Sequence, residues 1–179
     1  MTRYVGLIRG INVGGNNKVS MSELKSQYEL SGLKNVSTYI NSGNVIFESD
    51  ELDTAKLVSR CETIIRDCFG VTMRMAVISV DELHKDLAHA PAWWGADEGS
   101  KHNAVFVIPP AQTELLVREV GEIKPEYEKI AFHGHIIFWS APLKTFGRSR
   151  WAKIVGAAAY QHVTIRNYTT AQKLKSLTE

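Results

Sequence analysis

Residues 4–48 read YVGLIRGINVGGNNKVSMSELKSQYELSGLKNVSTYINSGNVIFE, and the pattern of apolar residues changes several times along them. Tyr4–Ile11 is an apolar, strand-like run that leads into a loop rich in glycine and asparagine. The sequence Ser20-Met21-Ser22-Glu23 has the S-x-x-E form of a capping box, which predicts that a helix begins there. Gly32 is a suitable residue for the end of this helix. The first part of the chain is therefore predicted to be a strand, a loop and a helix.

The residues that follow complete a recognisable order of elements. Val36–Ile40 and Asn44–Glu48 are short strand patterns on either side of a strong hairpin-turn signal. A second helix is predicted from about Asp53 to Cys68, and Val71–Ile78 is a closing strand pattern. The order β-α-β-β-α-β predicts the split βαβ arrangement of a ferredoxin-like domain. Its core beneath the sheet is predicted to contain Met21, Leu24, Leu57, Cys61, Ile64 and Ile65.

A similar order of elements recurs after Ser79, with a helix added in front. Ser79-Val80-Asp81-Glu82 is another capping box, and Pro91 would end the helix that it opens. The next predicted elements are a strand at Asn103–Ile108, a helix at Pro110–Ile123 and a hairpin at Tyr127–Ser140. They are followed by a helix from about Ser149, a strand at Val163–Arg166 and a last helix from Thr169. The predicted class is α+β, with two tandem domains at 1–79 and 80–179.

Length and composition exclude several classes of protein. The 179 residues are 44% hydrophobic and 22% charged, which is typical of a globular protein and not of a disordered chain or a coiled coil. No apolar run approaches the ~20 residues of a membrane helix, so no membrane partner is predicted. The N-terminus lacks the long apolar stretch of a secretory signal, and a cytoplasmic location is therefore expected.

The two cysteines lie seven residues apart, at Cys61 and Cys68. On a helix this spacing separates them by ~10 Å along the axis, which is too far for a disulfide between them. The same spacing places both on the apolar stripe of the predicted helix. Both are therefore predicted to be buried, reduced core residues.

Three separated motifs resemble the bacterial domain-of-unknown-function 1697 family: RGINVGGNNKVSM at 9–21, YINSGNVIF at 39–47 and GRSRWAKIVGAAAYQHVTIRN at 147–167. The resemblance covers essentially the whole chain, and it implies two α+β domains of which the first is ferredoxin-like. It implies no established reaction, substrate or catalytic residue. The family signature falls on Arg9–Lys18, Tyr39–Asn44 and Arg148–Asn167, which makes these stretches the first places to look for a functional site.

The first candidate site is the loop after the first strand together with the turn after the second. In a split βαβ sheet these two connections emerge at the same edge, within ~10 Å of each other. Glycines let backbone N–H groups converge, and the loop leads into a helix N-terminus, where anions are favoured. The loop does not match either glycine-rich nucleotide-binding motif. It is therefore either an anion site or a structural loop whose asparagines bond their own backbone. The candidate residues are Arg9, Asn12, Gly14, Gly15, Lys18, Ser42 and Asn44.

The second candidate site follows from an uneven distribution of charge. The net charge is only +2, but residues 144–179 carry a net charge of +6 and residues 80–143 carry −5. The N–H donors of an arginine guanidinium match the geometry of phosphate and carboxylate oxygens, so arginines beside a helix N-terminus are suited to bind these anions. The alternative is that these cations pair with the acidic middle segment. The candidate residues are Arg148, Ser149, Arg150, Lys153, Arg166 and Asn167.

These patterns support three classes of function. A small anionic ligand, such as a metabolite or nucleotide bearing phosphate or carboxylate, fits both candidate sites. Nucleic-acid binding is less favoured. This mode requires paired aromatic residues on the first and third strands of the sheet, and these strands contain only Tyr4 and Phe47. An interaction module that forms a homodimer is the third class. The histidines and cysteines lack metal-ligand spacing, so no metal and no cofactor are predicted. No nucleophile motif is present, and enzymatic activity is left undecided.

Overall fold

Two four-stranded antiparallel sheets form the framework of the chain in a computed structural model that describes all 179 residues. The chain divides into two units, Met1–Leu83 and His84–Glu179. The division falls within a helix, a few residues after the boundary expected at 79–80. The fold class is α+β, as the sequence predicts.

The first unit contains four strands and two helices before the helix that spans the division. They are β1 (Thr2–Ile8), α1 (Met21–Leu30), β2 (Lys34–Tyr39), β3 (Asn44–Ser49), α2 (Thr54–Phe69), β4 (Met75–Ser79) and then α3 (Val80–Ala88). The strand order is β2-β3-β1-β4, and every neighbouring pair is antiparallel. Strand β1 ends at Ile8 rather than at Ile11, because Gly10 and Asn12 adopt positive φ angles of 69° and 54° that leave the extended region.

The second unit repeats this order of strands. Its elements are β5 (Ser100–Val107), α4 (Thr113–Val120), β6 (Lys129–His133), β7 (Ile136–Pro142), three 3₁₀-helices (Leu143–Arg148, Trp151–Gly156 and Ala158–His162), β8 (Val163–Asn167) and α5 (Tyr168–Leu177). The strand order is β6-β7-β5-β8, again antiparallel throughout. The sequence predicts one helix from about Ser149, whereas the segment between β7 and β8 forms three short 3₁₀-helices, of which the middle one begins at Trp151.

The two helix starts predicted from capping boxes are confirmed by the observed caps. In α1, the Ser20 hydroxyl accepts a hydrogen bond from the Glu23 N–H, with an N···O distance of 3.3 Å. At α3 the capping box is reciprocal, because the Glu82 carboxylate in turn accepts from the Ser79 N–H and hydroxyl. These local bonds explain why short sequence signals located the helices.

The core of the first unit lies between its sheet and the two helices α1 and α2. Leu24, Leu57, Cys61 and Ile65 are all fully buried, and Ile64 packs against their cluster while only partly buried. The prediction for Cys68 is wrong, because this residue is exposed. Cys68 lies in the last turn of α2, where its thiol contacts the Gln27 side chain of α1 instead of the sheet. Burial raises the pKa of the Cys61 thiol to about 12, so this thiol stays protonated and unreactive.

Candidate functional site

The loop after β1 is held in place by one asparagine side chain. The Asn12 amide nitrogen donates to the carbonyls of Val19 and Asn41, each at 2.9 Å, and its oxygen accepts from the Val19 N–H at 2.8 Å. The contact with Asn41 joins this loop to the turn after β2, so the two connections do meet at one edge of the sheet. Because these bonds use both ends of the Asn12 amide, its role is to shape the loop.

The tip of the same loop is closed by backbone hydrogen bonds. The Asn12 N–H donates to the Asn17 carbonyl, and the Asn16 N–H donates to the Val13 carbonyl. Gly14 and Gly15 have φ angles of 58° and 78°, and no other atom lies within 4 Å of where a Cβ would stand. These glycines are therefore needed for backbone conformation and not for close packing. The tip therefore agrees with the interpretation of this segment as a structural loop rather than an anion site.

An open cleft of ≈ 590 Å³ lies between the base of this loop and the start of α1. Lys18 lines it as an exposed cation, and the hydroxyl-bearing residues Ser20 and Ser22 stand beside it, with 2.9 Å between their oxygens. The cleft also faces the first turn of α1, where the positive end of the helix dipole lies. Its full lining is Asn12, Gly15, Lys18, Val19, Ser20, Met21, Ser22 and Asn41. We call this cavity the α1 cleft.

Only some of the residues predicted for the first site line the α1 cleft. Asn12, Gly15 and Lys18 do, whereas Arg9, Gly14, Ser42 and Asn44 do not. The buried Asn44 side chain closes the hairpin turn, because its nitrogen donates to the Tyr39 carbonyl and the Ser42 hydroxyl. Ser20 and Ser22 also line the cleft, although the sequence patterns do not predict them as site residues; their capping box marks only the start of the helix.

The second predicted site is organised around a carboxylate of the chain itself. Glu128 is only 2% exposed, and its oxygens accept from the N–H groups of Arg150 at 2.7 Å, Trp151 at 3.1 Å and Lys124 at 3.2 Å. The amides at this helical start therefore already bind an anion. Ser149 is buried, where it donates to the Phe146 carbonyl and accepts from the Ala152 N–H.

The basic side chains predicted for the second site have different environments. Arg148, Arg150 and Lys153 are exposed, and the Arg148 guanidinium lies 5.8 Å from the centre of the Tyr127 ring. Arg166 is buried in β8, where it donates to the Thr164 hydroxyl and the Ile165 carbonyl. Its loss of hydration lowers its pKa to about 10. Asn167 caps α5 by accepting from the Thr170 N–H at 2.8 Å.

The aromatic residues considered for nucleic-acid binding are inside the first unit. Tyr4 and Phe47 are 2% and 0% exposed, and their rings stack with centroids 5.7 Å apart in the core that α1 and α2 cover. They therefore offer no surface on which a base could stack. No group of three or more histidine, cysteine, aspartate or glutamate side chains is arranged to hold a metal ion. None of the helices has the length and apolar character needed to cross a membrane.

Comparisons with known proteins identify the family of this chain and a solved structure with a similar fold. A family model described as "Protein of unknown function (DUF1697)" matches residues 1–138. The third motif noted in the sequence, at 147–167, lies beyond the matched residues. The solved structure of the conserved bacterial protein SP0830 from Streptococcus pneumoniae is 31% identical, with a TM-score of 0.88 over 99% of each chain. None of the curated proteins is a significant match. On the family match and the shared fold, the chain belongs to the DUF1697 family.

Proposed function

We propose that this protein binds a small anionic ligand, bearing phosphate or carboxylate, in the α1 cleft. The observation that carries the proposal is that a cation, two hydroxyls and the start of a helix line one open cavity. The Lys18 ammonium supplies charge, Ser20 and Ser22 offer hydroxyl donors, and the first turn of α1 adds its dipole. The hydrogen bonds of Asn12 hold this geometry without a ligand.

The basic residues near Arg150 are a weaker place for such a ligand. The N–H groups that an incoming anion would need there already bind the Glu128 carboxylate. An external anion near Arg148, Arg150 and Lys153 would meet only exposed side chains and would lie close to the buried Glu128 carboxylate. We therefore assign the ligand to the α1 cleft.

Thermal unfolding in the presence of inorganic phosphate tests this proposal. A ligand that binds only the folded state raises the melting temperature as its concentration rises. At constant ionic strength, phosphate is expected to stabilise the wild type more than chloride does. Lys18→Gln should remove most of this difference, while Lys34→Gln, at the far end of β2, should retain it. Arg150→Ala should also retain it.

Three results would contradict the proposal. Equal stabilisation by chloride and phosphate would show screening that does not depend on donor geometry. An unchanged phosphate effect in Lys18→Gln would place the anion elsewhere, and loss of the effect in Arg150→Ala would place it at the basic cluster.

Four further assignments accompany the proposal. The β-α-β-β-α-β order and the strand order β2-β3-β1-β4 support a ferredoxin-like first domain. The domain boundary at 79–80 and the cytoplasmic location stay predictions. A homodimer also stays a prediction, which sedimentation equilibrium of the full chain would test. Nucleic-acid binding is the alternative function, but the burial of Tyr4 and Phe47 weakens it.

A further inference from the structure

A row of polar side chains crosses three strands of the second sheet. His102 of β5 lies directly opposite Ser140 of β7, and Ser140 lies directly opposite Lys129 of β6. Residues that are paired in register point to the same face of a sheet, so these three side chains are neighbours. The residues of β7 that flank Ser140, Trp139 and Ala141, belong to the apolar cluster on the other face. The row is thus a polar feature on an otherwise apolar strand.

Hydrogen bonds connect this row to the loop before β5. The Ser140 hydroxyl oxygen is 2.6 Å from His102 Nδ1, and His102 Nε2 is 2.8 Å from the carbonyl oxygen of Asp97. The Asp97 carboxylate oxygen Oδ2 is 3.6 Å from the same Nε2. The Tyr168 ring meets the His102 ring edge-on, with 6.4 Å between their centroids, and restrains its orientation.

These contacts determine the proton positions of the neutral imidazole. A carbonyl oxygen can only accept, so Nε2 must carry the proton that it donates to Asp97. A neutral imidazole has one N–H, which leaves a lone pair on Nδ1. The Ser140 hydroxyl therefore donates its proton to His102 Nδ1. A hydroxyl that donates to an oriented imidazole is the arrangement that activates a serine nucleophile.

We propose that Ser140, His102 and Asp97 form a serine-nucleophile site for acyl transfer to water, with Ser140 as nucleophile and His102 as general base. Asp97 acts as a positioning residue, because its carbonyl holds the imidazole tautomer and its carboxylate faces the imidazolium that forms. The site lies in the second unit and does not depend on anion binding in the α1 cleft.

The surroundings of Ser140 define the class of substrate. Ser140 lines a cleft of ≈ 350 Å³ whose apolar walls include Trp93, Pro125 and Pro142. Ser140 and His102 are only 6% and 9% exposed, so the reacting group must be slender enough to reach into the cleft. These features fit a carboxylic ester with a short acyl chain. Lys129 lines the same cleft, and we assign its ammonium to the negative charge that develops on the carbonyl oxygen.

The reaction proceeds in two balanced halves. Ser140 Oγ forms a bond to the ester carbonyl carbon while its proton passes to His102 Nδ1, and the π electron pair moves to the carbonyl oxygen. That pair then returns, the bond to the leaving alkoxide breaks, and His102 gives its proton to the departing oxygen. Water next attacks the acyl-serine, again losing its proton to His102, and the carboxylic acid leaves as Ser140 regains its proton.

Covalent labelling of the full chain with phenylmethylsulfonyl fluoride tests the assignment. Ser140 Oγ would form a bond to sulfur, fluoride would leave, and His102 would take the proton. Peptide mass spectrometry should find the sulfonyl group on Ser140. His102→Gln should slow this labelling by about 100-fold or more, the range for loss of a general base. Ser176→Ala, at an exposed position of α5 outside the cleft, should leave the labelling rate unchanged.

A second variant and a pH profile separate catalysis from a structural role. The labelling rate of the wild type should depend on pH, and this dependence should be lost in His102→Gln. The Ser140→Cys thiol should react with iodoacetamide faster when His102 is present than in the double variant with His102→Gln.

Ester turnover should be measured with p-nitrophenyl acetate and should be about 100-fold lower in Ser140→Ala.

Three results would overturn the assignment. The first is the absence of a sulfonyl adduct on Ser140 in the folded wild type. The second is an equal labelling rate with and without the His102 imidazole, and the third is equal ester turnover in the wild type and Ser140→Ala. Any of these would show that the Ser140–His102 bond only satisfies two buried polar groups.

Discussion

The two units share a strand order but connect their third and fourth strands in different ways. In the first unit a single 16-residue helix, α2, makes this connection, whereas three short 3₁₀-helices make it in the second. Helix α2 has a regular apolar stripe that buries Leu57, Cys61 and Ile65, and Asp53 caps its start through the N–H groups of Ala55 and Lys56. Both the apolar stripe and the cap of α2 depend on residues within a few positions of one another.

The corresponding segment of the second unit relies on distant residues instead. Trp151 is fully buried and packs in a cluster with residues of β5, β7 and β8. Glu128, which precedes β6, binds the amides at the start of the middle 3₁₀-helix. The connection between the third and fourth strands can therefore be stabilised either by the local periodicity of one helix or by a few long-range contacts. The second solution concentrates stability in single residues.

The largest expected effect is the loss of the Trp151 anchor. Trp151→Ala should lower the free energy of unfolding of the second unit by about 3–5 kcal/mol, because a large buried ring leaves a cavity. Trp151→Phe should cost clearly less, since it keeps an aromatic ring and removes an indole N–H that has no hydrogen-bond partner. Val155→Ala, at an exposed position of the same 3₁₀-helix, is the control.

Urea unfolding followed by tryptophan fluorescence measures these changes. All four tryptophans, Trp93, Trp94, Trp139 and Trp151, lie in the second unit, so the signal reports that unit and three fluorophores survive the substitution. A loss in Val155→Ala as large as that in Trp151→Ala would show that stability is spread over the segment and would remove the contrast with α2.

A smaller effect is expected from Glu128→Gln, which keeps the shape of the side chain and removes its charge. The carboxylate accepts three N–H bonds, and an amide has only one oxygen to accept them while its nitrogen faces other donors. The free energy of unfolding should fall by about 1–3 kcal/mol. Glu126→Gln, at an exposed neighbouring position, should change it by less than about 0.5 kcal/mol. Equal stability of the Glu128→Gln variant and the wild type in urea would show that the segment does not need this anchor.

The smallest effects concern the first helix after the first strand in each unit. Helix α1 has the Ser20 side-chain cap, whereas α4 begins after Gln112 with no side-chain cap. Ser20→Ala should destabilise the first unit by about 1 kcal/mol, and Gln112→Asp should stabilise the second unit by a similar amount. Far-UV circular dichroism follows the first variant, because that unit has no tryptophan, and fluorescence follows the second. If Gln112→Asp left stability unchanged, the missing cap would not be a real difference between the units.

Most of the fold could be predicted because its signals are short-range. The Ser20 and Ser79 caps, the turn at Asn41-Ser42-Gly43 and the apolar stripe of α2 each depend on residues within a few positions of one another. Cys68 was mispredicted because helical spacing gives the side of a helix and not where the sheet beneath it ends. The candidate site was predicted in part: Lys18 and Gly15 line the α1 cleft, but whether Asn12 binds a ligand or its own backbone depends on Asn41, which is 29 residues away.

The class of fold, the order of its elements as far as β7 and the loop beside α1 follow from the sequence alone, because hydrophobic periodicity and capping are properties of neighbouring residues. Which carboxylate binds which amides, and which hydroxyl bonds to which imidazole, depends on the complete three-dimensional fold. Glu128 reaches Arg150 and Trp151 across more than twenty residues, and His102 meets Ser140 through strand register across thirty-eight. Register and packing are set by the whole core, since a shift of one residue would turn every side chain of a strand to the other face.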